Sequence, residues 1–241
     1  MRVGYLLGCV MKGMIPRINR LQIEILRELG CDVVLPKRAG CCGSLALHEG
    51  ERATAEYLGR NSIAAFTNAH VDVVIASAAG CGSTMKDWGK LLPSTPGAVE
   101  LAAKVRDFTE VAAELAKDRP PRIAINRVVA YQEACHLGHA QKVKDQPRNL
   151  LKAIPGLTLR ELPEQELCCG SAGVYNLVEP ELADKLGERK AAHAVNAHVD
   201  AVVTANPGCY FQMNAHLKAS PGAPQLLHLA DLLAEAYGLS I

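Results

Sequence analysis

The chain has 241 residues, 49% of them hydrophobic, and its 26 basic and 25 acidic side chains leave a formal charge of +1. A sizeable core is within reach, while dispersed charge with no basic block or aromatic ladder argues against a nucleic-acid partner. No apolar run approaches the ~18 residues of a membrane span, and the opening MRVGYLLGCV lacks a secretory layout, so a cytoplasmic protein is expected.

In chain order, RVGYLLG (2–8) reads as a β-rich run, and INRLQIEILREL (18–29) spaces its apolar residues for a helix. CDVVLP (31–36) is a second strand, GCCGS (40–44) a loop, RATAEYLGRNSIAAFTNA (52–69) a helix and VDVVIAS (71–77) a buried strand. After KDRPPR (117–122), a charged, proline-rich stretch with linker character, the series starts again. RVVAYQE (127–133) and TLRELP (158–163) are strands, LCCGS (167–171) a loop, PELADKLGERKAAHAVNA (180–197) a helix and VDAVVTA (199–205) a strand. LLHLADLLAEAYG (226–238) closes the chain as a helix.

The second series repeats the first at an offset of 126 to 128 residues. Cys9 answers to Cys135, Cys41 and Cys42 to Cys168 and Cys169, and Cys81 to Cys209; NAHVD at 68–72 recurs at 196–200. The expectation is an internal duplication: two tandem, pseudo-symmetric α/β units with mainly parallel sheets, a first repeat at 1–120 and a second at 121–241. Only Cys31 has no counterpart, and in its apolar run it reads as a buried side chain.

Nine cysteines in a chain without an export signal do not suggest a disulfide framework, so metal binding or redox chemistry is favoured. Cys9 and Cys135 directly follow the first strand of each series, and Cys81 and Cys209 lie just beyond a later one. Carboxyl ends of parallel strands are where ligands bind in open α/β sheets, so four sulfurs per series can converge there. Adjacent cysteines cannot readily join each other in a disulfide, and packing alone would seldom place such a pair twice. Four thiolates suit either a structural zinc ion or a 4Fe-4S cluster. The Cys-x-x-Cys spacing usual for zinc is absent, which favours the cluster, with zinc left as the alternative. Neither first strand leads into Gly-x-Gly-x-x-Gly, so no dinucleotide fingerprint is present.

These cysteines, with GCVMKGM (8–14), GCCGSLALHEGE (40–51), AAGCGSTMKDWG (78–89), ACHLGHAQ (134–141), PRNLLKAIPGL (147–157), LCCGSAGVYNL (167–177) and NPGC (206–209), resemble the cysteine-rich CCG domain family. That family includes a cysteine-rich subunit of heterodisulfide reductase, the lactate-utilisation iron-sulfur protein and the carboxy-terminal part of the glycolate oxidase iron-sulfur subunit, to which residues 2 to 238 are most similar. The resemblance implies an electron-transfer subunit of a glycolate or lactate oxidase complex, taking electrons from a flavin-containing partner toward an acceptor such as quinone. A ferredoxin-like subunit is a second implied partner, and peripheral membrane association through the complex is left open.

The cofactors implied are iron-sulfur clusters, 4Fe-4S, one per repeat, on Cys9, Cys41, Cys42 and Cys81 and on Cys135, Cys168, Cys169 and Cys209. The heterodisulfide reductase relative carries one cysteine more per motif, where this chain has Ala78 and Asn206, so a four-cysteine cluster is expected in place of a larger non-cubane one. A stand-alone redox enzyme acting on a thiol, disulfide or quinone, and a zinc-stabilised binding module, are the alternative readings. His48, His136 and His139 are candidate proton carriers, Lys12 a candidate cation beside Cys9, and Asn206, before Pro207, a turn residue.

Overall fold

The computed structural model describes residues 1–239. The run RVGYL after Met1 forms β1 (Arg2–Leu6), with Val3 to Leu6 buried. It is followed by α1 (Cys9–Met14), α2 (Pro16–Glu28), β2 (Asp32–Val34), α3 (Ser44–His48), α4 (Arg52–Asn68) and β3 (Val73–Ala76). Then come α5 (Ala79–Lys86), α6 (Trp88–Leu91), α7 (Ala98–Lys104), β4 (Val105–Asp107) and α8 (Phe108–Leu115). The second half has β5 (Val128–Gln132), a π-helical turn at His136–Ala140, α9 (Asp145–Lys152), β6 (Thr158–Glu161), α10 (Tyr175–Val178) and α11 (Pro180–Asn196). It ends with β7 (Ala201–Thr204), α12 (Pro207–Lys218), β8 (Gln225–His228) and α13 (Leu229–Tyr237).

The strands form two four-stranded, wholly parallel sheets of the same order, β2-β1-β3-β4 and β6-β5-β7-β8. This is the expected α/β architecture of two similar units. The repeated NAHVD acquires a physical reason. His70 and His198 adopt left-handed backbone angles, φ 49° and 48°, that stop α4 and α11. The Asp72 carboxylate accepts from Arg2 N at 2.7 Å and that of Asp200 from Val128 N at 2.7 Å, pinning the start of each central strand.

Strand β4, which no apolar run announced, sits between two helical segments. Strand β8 takes residues that the sequence reading gave to the last helix. Both are edge strands, recruited by pairing with β3 and β7. Each hands over to a helix through a capping box, Asp107 with Glu110 on α8 and His228 with Asp231 on α13.

One core lies between the sheets. Tyr5, Ile25, Leu26 and Val111 of the first half and Tyr131, Leu150, Leu232 and Leu233 of the second belong to a single buried cluster, with Cys31 inside it. Helix α2 packs on α13 and α8 on α9 across this layer. Two separate cores cover the outer faces, one under α4 to α7 and one under α11 and α12. The halves are therefore held in register by a common apolar layer, with each buried leucine contributing about 1.5–3 kcal/mol.

The two buried caps give opposite pH dependences. Burial holds His228 down at about 4, below its ordinary value of 6.5, and holds Asp107 up at about 6 against 3.8. The His228 contribution is complete above pH 6.5 and is lost as pH falls toward 4, about 3 kcal/mol in all. That of Asp107 is complete below its unfolded value and is lost as pH rises through 6. Acidification from pH 7 to 4 is thus expected to lower the Tm of Asp107→Asn more steeply than that of the unaltered chain, and that of His228→Asn less steeply. Thermal melts across this range check both slopes; parallel slopes would contradict them.

Candidate metal centre

The parallel order puts the carboxyl ends of β1, β3, β5 and β7 at one edge, and all eight paired cysteines emerge there. Cys9 opens α1, Cys81 and Cys209 lie in the first turns of α5 and α12, and Cys135 precedes the π-helical turn. The double cysteines come from the loops before α3 and α10. Both sets line one cavity of about 380 Å³ between the halves. The two sets thus face the same crevice.

Within each set the thiols touch in a row. Cys9 and Cys41 Sγ are 3.8 Å apart, as are Cys135 and Cys168 Sγ, too far for disulfides. All nine cysteines are free. Cys42 and Cys81 continue the first row along the cavity wall, and Cys169 and Cys209 the second. Neighbouring thiols cannot all ionise together. Hydrogen bonding to Cys41 pushes Cys9 up, and that to Cys168 pushes up Cys135 and Cys169. Hydrogen bonding from Cys135 and Cys169 holds Cys168 well below the usual thiol range, and that from Cys169 holds Cys209 down.

Backbone and side-chain donors point at the sulfurs. Gly43 N donates to Cys41, Ser44 N to Cys42 and Gly170 N to Cys168, each at 3.4 Å, and Asn206 Nδ2 donates to Cys209 at 3.4 Å. Such donors stabilise an anionic, thiolate-bound centre. Among the described residues, no group of three or more cysteine, histidine or carboxylate side chains is placed to hold a single metal ion. A row of four thiols along a cavity wall instead suits a multinuclear core that takes one thiolate per iron.

The glycine after each double cysteine is sterically required. Gly43 and Gly170 have φ of 85° and 96°. A Cβ at Gly43 would lie 2.7 Å from Ala55 O of α4, and one at Gly170 would collide with Ala183 O of α11. Alanine at either position is expected to cost about 2 kcal/mol or more through left-handed strain plus the backbone collision. Urea unfolding of the two variants measures this, and unchanged midpoints would contradict it.

His48 and His136, from opposite halves, also line the cavity, with ring centroids 5.6 Å apart. Burial, then the neighbouring His48, lowers the pKa of His136. His139 lies apart from these two. Its exposed ring lies 3.3 Å from Glu166 O and is no part of the cavity wall, because the π-helical turn sends it outward. Lys12 is exposed on α1 and also outside the wall.

Sequence reasoning missed three groups. Asn206 is more than a turn residue: its Oδ1 accepts from Ala79 N of the other half at 3.0 Å, and the buried Gln141 donates to Ala79 O at 2.8 Å. Lys190 is fully buried, and its Nζ donates to Glu164 O and Gln165 O in the segment that leads to the second double cysteine. Its position gave a signal, since it shares the buried face of α11 with Ala183, Gly187 and Ala194.

The chain is 38% identical over 244 aligned residues to the "Probable glycolate oxidase iron-sulfur subunit" of Bacillus subtilis (strain 168), covering 98% of this chain and 55% of that protein. It is 25% identical to "Lactate utilization protein A 1" of Bacillus mycoides (strain KBAB4), covering 98% of this chain and 97% of that one. It thus spans about half the length of the first relative and nearly all of the second. A hypothetical protein from Helicobacter pylori shares the fold, with a TM-score of 0.59, 11% identity, and coverage of 100% of this chain and 49% of that one. Residues 3–86 and 129–214 match the family described as the cysteine-rich domain, CCG, one match on each sheet unit, and the chain belongs to that family.

Proposed function

We propose that the chain is the iron-sulfur electron-transfer subunit of a glycolate or lactate oxidase complex in the cytoplasm. In this reading residues 1–120 and 121–241 are the two repeats, and each holds a 4Fe-4S cluster by its four cysteines. The observation that carries it is the meeting of eight thiols, by fours, on one crevice. The printed names of the two relatives above support it.

A cluster supplies reversible one-electron transfer; the chain's own residues do the rest. The thiolates hold the irons, and the N–H groups of Gly43, Ser44 and Gly170 offset negative charge in a poorly solvated site. Among the described residues, no lysine, arginine, aspartate or glutamate lines the cavity. A hydroxy-acid carboxylate finds no counter-charge there, which supports its oxidation on a flavin-containing partner. Met14 and Leu177, 62% and 76% exposed, stand at the mouth and suit contact with such a partner or with a ferredoxin-like subunit. No helix among the described residues is long and apolar enough to cross a membrane.

The test mixes the anaerobic, cluster-loaded chain with glycolate or lactate. Its visible absorbance is expected to bleach only when a flavin-containing 2-hydroxy-acid dehydrogenase is added. Bleaching by the acid alone would overturn this reading.

A second reading draws on the size of the crevice, which falls in the range of small-molecule sites. A neutral acceptor such as a quinone would fit the uncharged wall, with His48 and His136 within reach to supply protons. Turnover of a quinone by the chain alone, with an artificial donor, would favour it.

A further inference from the structure

We infer that the two cofactor positions are electrostatically unequal, and that Lys190 makes the second the stronger electron acceptor. The inference rests on the iron-sulfur reading above and goes beyond it in assigning a direction.

The duplication supplies an internal control. Helices α4 and α11 correspond residue for residue at an offset of 128, which pairs Lys190 with Ser62. Ser62 is buried, and its hydroxyl donates to Cys41 O at 2.9 Å, a neutral contact. Lys190 has 0% exposure, and its Nζ donates to Glu164 O at 2.6 Å and Gln165 O at 3.3 Å. Two carbonyl acceptors suit an ammonium, which has three donors and no acceptor.

No carboxylate neutralises it among the described residues. The Glu164 carboxylate turns outward to Arg189 and His193, and Glu133 is paired with Arg148. Besides these two paired carboxylates, the charges that act on the ammonium are those of Cys169 and Cys209, which are thiolates when they hold a centre. Burial lowers the lysine pKa and these thiolates raise it, so a negatively charged centre on them keeps the cation in place.

Reduction adds one negative charge to a cluster, and a nearby cation favours that state. At an effective dielectric constant of about 20 in place of 80, the field of a buried charge is about four times what it would be in water. N–H donors do not distinguish the positions, since Gly43 N and Ser44 N serve the first set and Gly170 N and Asn206 Nδ2 the second, all at 3.4 Å. Exposure of Cys9 acts the other way, since water also stabilises added charge, but Cys9 is the one exposed member of its set while Cys42 is buried. Cys81 is likewise less buried than its counterpart Cys209, but a full buried charge outweighs the partial wetting of these two ligands. One-electron exchange between the positions, in which one is oxidised and the other reduced with no bond made or broken, therefore lies toward the second half.

Redox titration of the anaerobic, cluster-loaded chain, followed by electron paramagnetic resonance, tests this. Lys190→Met is expected to lower the equilibrium constant for reduction of the second centre at least tenfold, about 59 mV for one electron, and to leave the first unchanged. Lys190→Arg, which keeps the charge, should restore it. Single-centre proteins give a measurement independent of Lys190 substitution: Cys42→Ser, retaining the second centre, should show the more positive midpoint, and Cys169→Ser the more negative. Loaded Lys190→Met with an unmoved midpoint, or single-centre midpoints that are equal or reversed, would overturn the inference while the iron-sulfur reading stands. Absence of iron and sulfide from the unaltered chain would overturn both.

Discussion

Cys42→Ser is expected to remove about half of the iron and half of the acid-labile sulfide, and Cys169→Ser the other half. Cys42 stands with Cys9, Cys41 and Cys81 on the cavity wall, so its loss leaves the first set one thiol short. A serine hydroxyl is a poor substitute for a soft thiolate at iron. The second row gains no ligand from the first half and is carried by β5, β7 and their following turns, so its centre should persist. The fold should persist too, because the layer of α2, α8, α9 and α13 that joins the halves is remote in composition from the cysteines: of the nine, it contains only Cys31. Loss of all iron with native circular dichroism would mean instead that one core bridges the crevice.

Arg148→Met is expected to destabilise the fold by about 3–5 kcal/mol, the cost of leaving a buried charge without its partner. Arg148 lies 2.8 Å from Glu133, whose side chain is 4% exposed, and 2.9 Å from Glu161, and donates to Lys144 O at 2.7 Å. Its guanidinium carbon also sits 5.2 Å from the centre of the Tyr131 ring. Removing it strands Glu133, two residues before Cys135, at the foot of the turn that presents that cysteine. For a chain of this size the loss corresponds to a Tm drop of about 6–20 °C. Adding Glu133→Gln should recover much of it, since the stranded charge goes as well. A drop below about 2 °C, or no recovery in the double variant, would contradict the assignment.

Much of this was legible in the residues. The near-continuous apolar runs of β3 and β7 declare buried parallel strands, and the three-and-four spacing of α4 and α11 marks helices within a residue of their ends. The duplicated Cys-Cys-Gly marked the two loops that line the crevice, and its glycine requirement is local: a left-handed turn against a helix backbone. Edge strands β4 and β8 were hidden because three or four residues carry too short a pattern, and pairing with β3 and β7 decides their state. The partners of Asn206 and Gln141 were hidden for a different reason. Both reach Ala79 across the crevice, and contacts between repeats have no period along the chain. That His136 lines the cavity and His139 does not was not legible either, because spacing from Cys135 does not tell which way a π-helical turn aims a side chain.

The most direct measurement is iron and acid-labile sulfide, with zinc, on protein prepared without oxygen. Iron and sulfide in equal amounts, about eight of each per chain for two 4Fe-4S cores, with a visible absorbance that dithionite bleaches, are the expected result. Stoichiometric zinc without sulfide, in a colourless protein indifferent to dithionite, would contradict it.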